Sequence, residues 1–527
     1  MSVENDGLYS INIGTRCRLL LDDIKRLTHG SVKVKLSHDS YDAIARSHAF
    51  LKSCIDARIP IYGINTHFGD QVNLLDTHLF NTNTIEYYAS INARQINLIR
   101  SHSCGLGSMI KPEIIKIAMM LRAHCLSQGY SGVTQSAVDA ILAFLNAGII
   151  PLVYGYGSIG ASGDLIPLAM IAAGITGQDV DVIYHNEIMR APIALKLAGL
   201  TLFQPQCRDG LAMINGTSFM TAIASLAFYN LKRLYPQMLS AIAMSLEAML
   251  VISSGYHPLV HQLKGQQGEN IVNQFLLDFW QNSHLITDLD ELRQTNTQDQ
   301  ISRPLQDYYS LRSVSQGFGP FQENLDRAIV WVENEMNSIN DNPIIDIKEN
   351  KIHHSANFMG YYITDACDIL KMNMAQASTW LHALLANMVH PRKNHQLPAN
   401  LVADPGNQNG FRPIQLLAAA LAVQNRKLAV SHQAYTLPTE GDNQDVNSLG
   451  THAALDFQES VANLERLTAI LFLAATQALE MRDIKKAGKK SQKIYKIIRH
   501  HSKTLADCRP LSEEMETIIQ LLKDEKI

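Results

Sequence analysis

Seven cysteines among 527 residues, an odd number with no Cys-x-x-Cys spacing, leave no disulfide framework to be read and point to reduced thiols. Charge of one sign is equally scarce. The 45 Lys and Arg residues stand against 49 Asp and Glu, so nothing draws the chain to a nucleic acid or to an anionic membrane surface. Long apolar runs are missing too: AILAFLNAGIIPLV is broken by Asn146, Gly148 and Pro151 and is too short to span a bilayer. The opening residues MSVENDGLYS lack the basic-then-apolar layout of a signal peptide. Metal ligands do not cluster either. There is no H-E-x-x-H, and His353-His354 and His500-His501 are adjacent pairs that cannot share one helix face. The expectation is a cytoplasmic protein with no metal, nucleic acid or membrane partner.

What the chain has in quantity is helical periodicity. Residues 217 to 253 carry apolar side chains at helical spacing for longer than any strand runs, with Pro236 as the expected kink. The same period recurs in ITDACDILKMNMAQASTWLHALLANMV, in PIQLLAAALAVQNRKLAV and in HAALDFQESVANLERLTAILFLAATQALEM. These predict long, mostly buried helices packed as a bundle. NSINDNPIID reads as a loop entering a short strand, with KIHHSANF as its partner, and the basic stretch RDIKKAGKKSQKIYKIIRHHSK reads as a solvated helix face.

Two glycine signals overlap in PLVYGYGSIGASGDLIPLAMIA. Gly155, Gly157 and Gly160 spell the dinucleotide fingerprint G-x-G-x-x-G, but neither side shows the alternating strands and helices such a domain needs. A nucleophile elbow fails because Ser158 follows Tyr156 and Ser162 precedes Asp164, where glycines would be required. Directly behind lies Ala161-Ser162-Gly163. Its plain reading is a turn in which Ser162 or Asp164 caps the helix beginning LIPLAMIAAG. By average composition roughly one chain in five of this length holds such a tripeptide by chance, so its surroundings must decide.

GSIGASGDLIPLA resembles the signature of the aromatic amino acid ammonia-lyases and aminomutases, the superfamily of histidine, phenylalanine and tyrosine ammonia-lyases. Further family-like blocks follow in order: IYGINTHFG, NLIRSHSCGLG, RDGLAMINGTS, QDYYSLR, NSINDNPIID, HSANF and EGDNQDVNSLG, spanning roughly residues 55 to 480. The resemblance implies a mainly α fold, a long central helical bundle with a smaller mixed N-terminal region. The corresponding division is 1–215 for the region holding the tripeptide, 216–480 for the bundle and 481–527 for a helical tail. It also implies a homotetramer whose active sites draw residues from several chains. The implied cofactor is 4-methylidene-imidazole-5-one (MIO), formed by the chain itself: the Gly163 nitrogen attacks the Ala161 carbonyl carbon, and loss of water, including the Ser162 hydroxyl, leaves an exocyclic methylene.

The chemistry explains why such a group is needed. Eliminating ammonia from an α-amino acid requires an electrophile, which ordinary side chains do not provide. By resemblance Tyr62 is the base that takes the β-proton, on a glycine-flanked loop suited to closing over substrate. A phenol in that role needs its pKa lowered, which a nearby helix N-terminus would favour. Arg312 matches the clamp for the substrate carboxylate. Asn215 would hold the imidazolone oxygen or the carboxylate, Gln306 and Tyr309 would order the same pocket, and Phe358 would line it. Glu440 and Gln444 match the block facing the amine. For Gln306, Phe358 and Gln444, packing is an equally good reading.

Ser101-His102 matches the position facing the substrate ring. Ser-His occurs in histidine lyases and in some tyrosine lyases and tyrosine aminomutases, and an imidazole can bond either a phenol or a second imidazole. Histidine lyases typically read Asn-Gln-Glu-Asp-His in the later block, whereas NQDVNSLG is similar to the phenylalanine and tyrosine members. The sequence therefore favours L-tyrosine to 4-coumarate, ahead of histidine to urocanate, with phenylalanine third. A 2,3-aminomutase using the same residues and an inactive helical scaffold are the other readings. Three departures stand out: His67 where the lid block has a small residue, Arg208-Asp209 for Lys-Glu, and Ser315 where proline is common.

Overall fold

Thr134 and Gly148 show how local sequence sets the helices. The Thr134 hydroxyl accepts the Ala137 N–H at 3.2 Å, opening the helix Gln135–Ala147. Gly148, with φ at +76°, closes it in the left-handed conformation that glycine reaches without strain. Asn83 opens Thr84–His102 in the same way, accepting from Glu86 at 3.0 Å. The computed structural model of the protein describes residues 9–30, 32–71, 80–295 and 303–527.

The fold is mainly α, with a few small sheets. Two units alternate along the chain: 1–229, 329–367 and 431–455 form the first, and 230–328, 368–430 and 456–527 the second. Four of the five boundaries fall within long helices, Ser218–Ala248, Val314–Met336, Tyr361–Val389 and Gly450–Met481, and the fifth follows the helix Arg412–Leu428. Pro236 lies inside the first of these without ending it.

The first unit is mixed. Tyr9–Ile13 pairs in parallel with Val32–Leu36, and Leu106–Met109 runs antiparallel to Tyr154–Tyr156. Asp181–Tyr184 lies between Ile150–Pro151 and Glu187–Arg190. Ile344–Asp346 pairs with Lys351–His353, as the loop-and-strand reading of that segment expects. No sheet has the repeated parallel crossovers of a dinucleotide domain among the described residues. Helix Pro112–Leu126 is buried along nearly its whole length, which brings Arg122 into the interior.

The second unit is helical, with a core of Met238, Ile242, Phe321, Leu381, Leu464 and Leu471. Edge-on ring pairs stitch it together: Tyr235 with Phe321 and Tyr256 with Trp280, each at 5.0 Å between centroids. The basic C-terminal stretch forms Lys489–His501, burying Ser491, Ile494 and Ile498 while Lys489 and Lys490 face solvent.

Candidate active site

The tripeptide Ala161-Ser162-Gly163 sits between strand Tyr154–Tyr156 and helix Leu165–Ile175. Gly163 has φ at +69°, and a Cβ there would lie 2.2 Å from the Gly216 carbonyl oxygen. Only glycine permits that approach. The adjoining Asp164 N–H donates to the same carbonyl at 2.8 Å. On the other side the Ser448 N–H and hydroxyl donate to the Gly160 carbonyl at 3.2 and 3.0 Å, and Leu449 N–H donates to Ile159. Two of the three glycines of the apparent fingerprint are used for packing: a Cβ at Gly157 would meet Ile166, and one at Gly160 would meet Ser448.

Asp164 corrects the capping expectation. It stands at the N-cap position of Leu165–Ile175, yet its carboxylate makes no capping bond there. Instead Oδ2 accepts the Met220 N–H at 2.8 Å, serving the first turn of Ser218–Ala248, while Oδ1 accepts the Ser158 and Thr451 hydroxyls at 2.7 and 2.6 Å. Burial pushes its pKa up to about 6, against the lowering effect of the Thr451, Met220 and Ser158 bonds. One carboxylate thus joins three segments at the tripeptide.

A second buried polar group supports Gly216 from below. Arg208 grips Asp341 with two bonds, at 2.8 and 2.9 Å, and donates to the Asn342 carbonyl. Arg122 donates to the Ala212 carbonyl at 2.7 Å and to Asn340 Oδ1 at 2.9 Å, and lies 3.6 Å from Asp341. Burial opposes ionisation of Asp341, but the Arg208 and Arg122 charges outweigh it and hold the carboxyl below its ordinary range. Asp209 accepts from Thr134 and Gln206 instead. The Arg208-Asp209 departure therefore serves the scaffold.

On this base Asn215 and Gln444 converge on Ser162. Asn215 Nδ2 donates to the Ser162 carbonyl at 3.2 Å, and Gln444 Nε2 donates to the Ser162 hydroxyl at 3.1 Å, with Thr439 holding the other end of the amide at 2.9 Å. Asn215 Oδ1 is buried with no partner among the described residues, an acceptor left open beside the tripeptide. A pocket of about 190 Å³ opens here, lined by the tripeptide together with His102, Ile166, Thr439, Glu440 and Gln444.

His102 ends helix Thr84–His102. Its Nδ1 lies 2.9 Å from the Leu98 carbonyl, which can only accept, so Nδ1 carries the proton and Nε2 of the neutral ring is an acceptor. Ser101, 3.1 Å from the same Nδ1, also donates to Leu98 and is exposed. Tyr62 is half-buried; its N–H donates to His354 Nε2 at 3.2 Å and its ring meets Phe68 edge-on. Contrary to expectation, its pKa is raised. Burial is the main cause and the Glu440 charge adds to it, against a lowering bond from the Gly69 backbone. The first unit thus contains negative charge beside the phenol where the sequence reading looked for a positive helix end.

Phe358 lies half-buried just ahead of Tyr361–Val389 in the first unit. Gln306, Tyr309 and Arg312 belong to the second unit. There Tyr309–Arg312 forms one helical turn, the Arg312 guanidinium sits 4.8 Å from the Tyr309 ring centroid, and its Nε has no partner among the described residues. Tyr309 and Gln306 are exposed. Ser315, where proline was expected, is buried and donates to Asn273 at 3.3 Å. Among the described residues no His, Cys, Asp and Glu side chains form a metal cluster, and no helix is long and apolar enough to cross a membrane.

The sequence blocks do not single out Asp164, Ser158 and Thr451 as one group, nor Arg122 with Asp341. Three separate segments must fold together before either cluster exists.

The aromatic amino acid lyase family profile matches residues 19–500. Histidine ammonia-lyase of Geobacillus thermodenitrificans is 30% identical over 509 residues, 97% of this chain and 96% of that protein. Among solved structures, phenylalanine aminomutase of Pantoea agglomerans superposes with a TM-score of 0.90 at 27% identity, covering 98% of this chain and 99% of the other. Histidine ammonia-lyase of Trypanosoma cruzi gives 0.86 at 25% identity, covering 98% and 94%. With its profile matched over most of its length, the chain belongs to the aromatic amino acid lyase family and is a carbon–nitrogen lyase.

Proposed function

We propose that the protein is a histidine ammonia-lyase, releasing ammonia from L-histidine to give urocanate. The observation that carries the lyase reading is the convergence of two amide donors, Asn215 and Gln444, on Ser162. For the substrate, support comes from the relative named histidine ammonia-lyase that matches nearly the whole chain. That likeness outweighs the single block that favoured tyrosine.

The residues fit an MIO group built from the tripeptide. Gly163 is held in a conformation closed to other residues, and Asn215 offers both a donor to the Ser162 carbonyl and an open acceptor. Once formed, such a group supplies the electrophile that lets an amine leave. Tyr62 Oη takes the β-proton, and Glu440 faces the substrate ammonium. Gln306, Tyr309 and Arg312 come from another copy of the chain in a homotetramer, with the Arg312 fork on the substrate carboxylate. The substrate ammonium and that guanidinium act against the burial and the Glu440 charge that raise the Tyr62 pKa. The His102 Nε2 acceptor selects a ring that can donate, which imidazole and phenol do and a phenyl ring does not.

A tyrosine substrate is the second reading, favoured by the block NQDVNSLG, which differs from the Asn-Gln-Glu-Asp-His typical of histidine lyases. A third, in which ammonia is returned to the β-carbon, is supported by the likeness to phenylalanine aminomutase. Separate incubation with histidine, tyrosine and phenylalanine, followed by ultraviolet absorbance and mass spectrometry, decides among them. Urocanate is expected. Coumarate alone or a β-amino acid would replace the histidine reading, and no product from any of the three would remove the lyase reading. Intact mass gives an independent check, since the wild type should be lighter by the water lost in ring closure and Ser162→Ala should not.

A further inference from the structure

The second unit contains a larger cavity, about 590 Å³, whose wall is basic. Arg303, Arg392, Lys393, His395 and Arg482 line it, against a single lining carboxylate, Asp307. That carboxylate is already engaged. It accepts from Arg303 Nη2 at 2.9 Å and from the Ile252 N–H at 2.7 Å.

Arg482 is fixed by neutral groups alone among the described bonds: Nε donates to the Ala248 carbonyl at 3.1 Å, and Nη2 donates to the Asn394 and His395 carbonyls, each at 2.6 Å. Carbonyls orient a guanidinium without cancelling its charge. Arg303 is fixed by Thr287 and the Leu250 carbonyl, at 3.0 and 2.7 Å, in addition to its pairing with Asp307. Its Nε and the His395 Nε2 are buried with no partner among the described residues. Burial, together with the nearby Arg303 charge, lowers the Arg482 pKa to about 10, and burial with the same arginine lowers that of His395 to about 4. Two guanidinium groups are therefore held close enough to repel in a partly enclosed space, where water screens them poorly. Exposed Arg392 and Lys393 stand at the same wall, the latter 5.2 Å from the Tyr308 ring centroid.

We propose that this cavity is a binding site for a phosphate dianion, either free phosphate or a phosphate monoester. A dianion with three terminal oxygens can accept from both fixed guanidinium groups and from the rim cations at once, which a lone carboxylate cannot do. Gln306, which the proposed function assigns to the substrate pocket, also lines this cavity; the inference rests on the two guanidinium groups and does not depend on which amino acid the enzyme uses.

Equilibrium dialysis of the full-length protein tests it, with radiolabelled inorganic phosphate as probe, ionic strength held constant with potassium chloride and phenyl phosphate as competitor. Saturable binding is expected, and an Arg392→Gln/Lys393→Gln double variant should raise Kd by about tenfold or more while its circular dichroism stays unchanged. Displacement by phenyl phosphate at lower concentration than by unlabelled phosphate would assign the site to an ester; the reverse order would assign it to free phosphate. Arg482→Gln should abolish binding if it folds. Absence of saturable binding to the wild type overturns the proposal. So does an unchanged Kd in the double variant.

Discussion

The Asp164 carboxylate accepts the Met220 N–H at 2.8 Å, and so serves a helix 56 residues further along the chain in place of the one it precedes. Its position between Ser158, Thr451 and Met220 ties the tripeptide loop to two long helices. Because its folded pKa is raised to about 6 from an ordinary 3.8, the folded state binds this proton more tightly than the unfolded state. Its contribution to stability is complete below pH 3.8 and is lost as pH rises through about 6. The difference in unfolding free energy between wild type and Asp164→Asn should therefore fall across that window, by roughly 3 kcal/mol. A flat difference curve in denaturation between pH 4 and 7 would show that the carboxyl is not perturbed.

Asp341 makes a sharper demand, since Arg208 and Arg122 both depend on it. Asp341→Asn keeps the shape but leaves two buried guanidinium groups with no counter-charge from that position. A loss of about 3–5 kcal/mol is expected. Urea denaturation measures it, and a loss below about 1 kcal/mol would mean that the pair is solvated in a way its burial contradicts.

Gly216 stands between these two clusters. A Cβ there would lie 2.1 Å from Arg122 Nη1 and 2.5 Å from the Asn340 carbonyl. Gly216→Ala should therefore destabilise the protein by about 1–3 kcal/mol through overpacking. It should also displace the Gly216 carbonyl from Asp164, so the mass loss of ring closure should be incomplete. Full ring closure in this variant would disconnect the tripeptide from the support beneath it.

Much of this was legible in the sequence because local signals agreed with the fold. The long apolar periods became the long helices, and the strand in NSINDNPIID found its partner in KIHHSANF. The tripeptide, Asn215 and Gln444 could be placed together because each lies in a recognisable block. The role of Asp164 could not be read, since a residue ahead of a helix looks like that helix's cap until a third segment competes for its carboxylate. Nor could the pKa of Tyr62. Burial and the charge of Glu440 act through space, and the sequence separation of residues 62 and 440 conceals both.

His102 gives a test of substrate choice. With Nδ1 donating to Leu98, only Nε2 is free to accept a proton from the substrate ring. His102→Leu removes that acceptor and should lower kcat/KM for histidine and tyrosine relative to phenylalanine by about tenfold or more, the cost of leaving a buried donor unpaired. An unchanged ratio would remove His102 from the selection of the ring.

Tyr62 and Glu440 bear on the pH dependence of the reaction. In the proposed role the phenol must lose its proton before it can take one from the β-carbon, and burial, with a smaller contribution from Glu440, holds its pKa above the ordinary 10. A base with a raised pKa is less ionised at neutral pH, so kcat/KM should climb as pH rises from 7 to 9. Tyr62→Phe should abolish turnover while leaving the mass loss of ring closure intact. Glu440→Gln removes a like charge and should move the rising limb to lower pH, by less than the shift that burial causes. It should raise KM as well, because the substrate ammonium loses its anionic neighbour. A limb that moves to higher pH in Glu440→Gln would reverse the sign argued here and remove the Glu440 charge as a cause of the raised Tyr62 pKa.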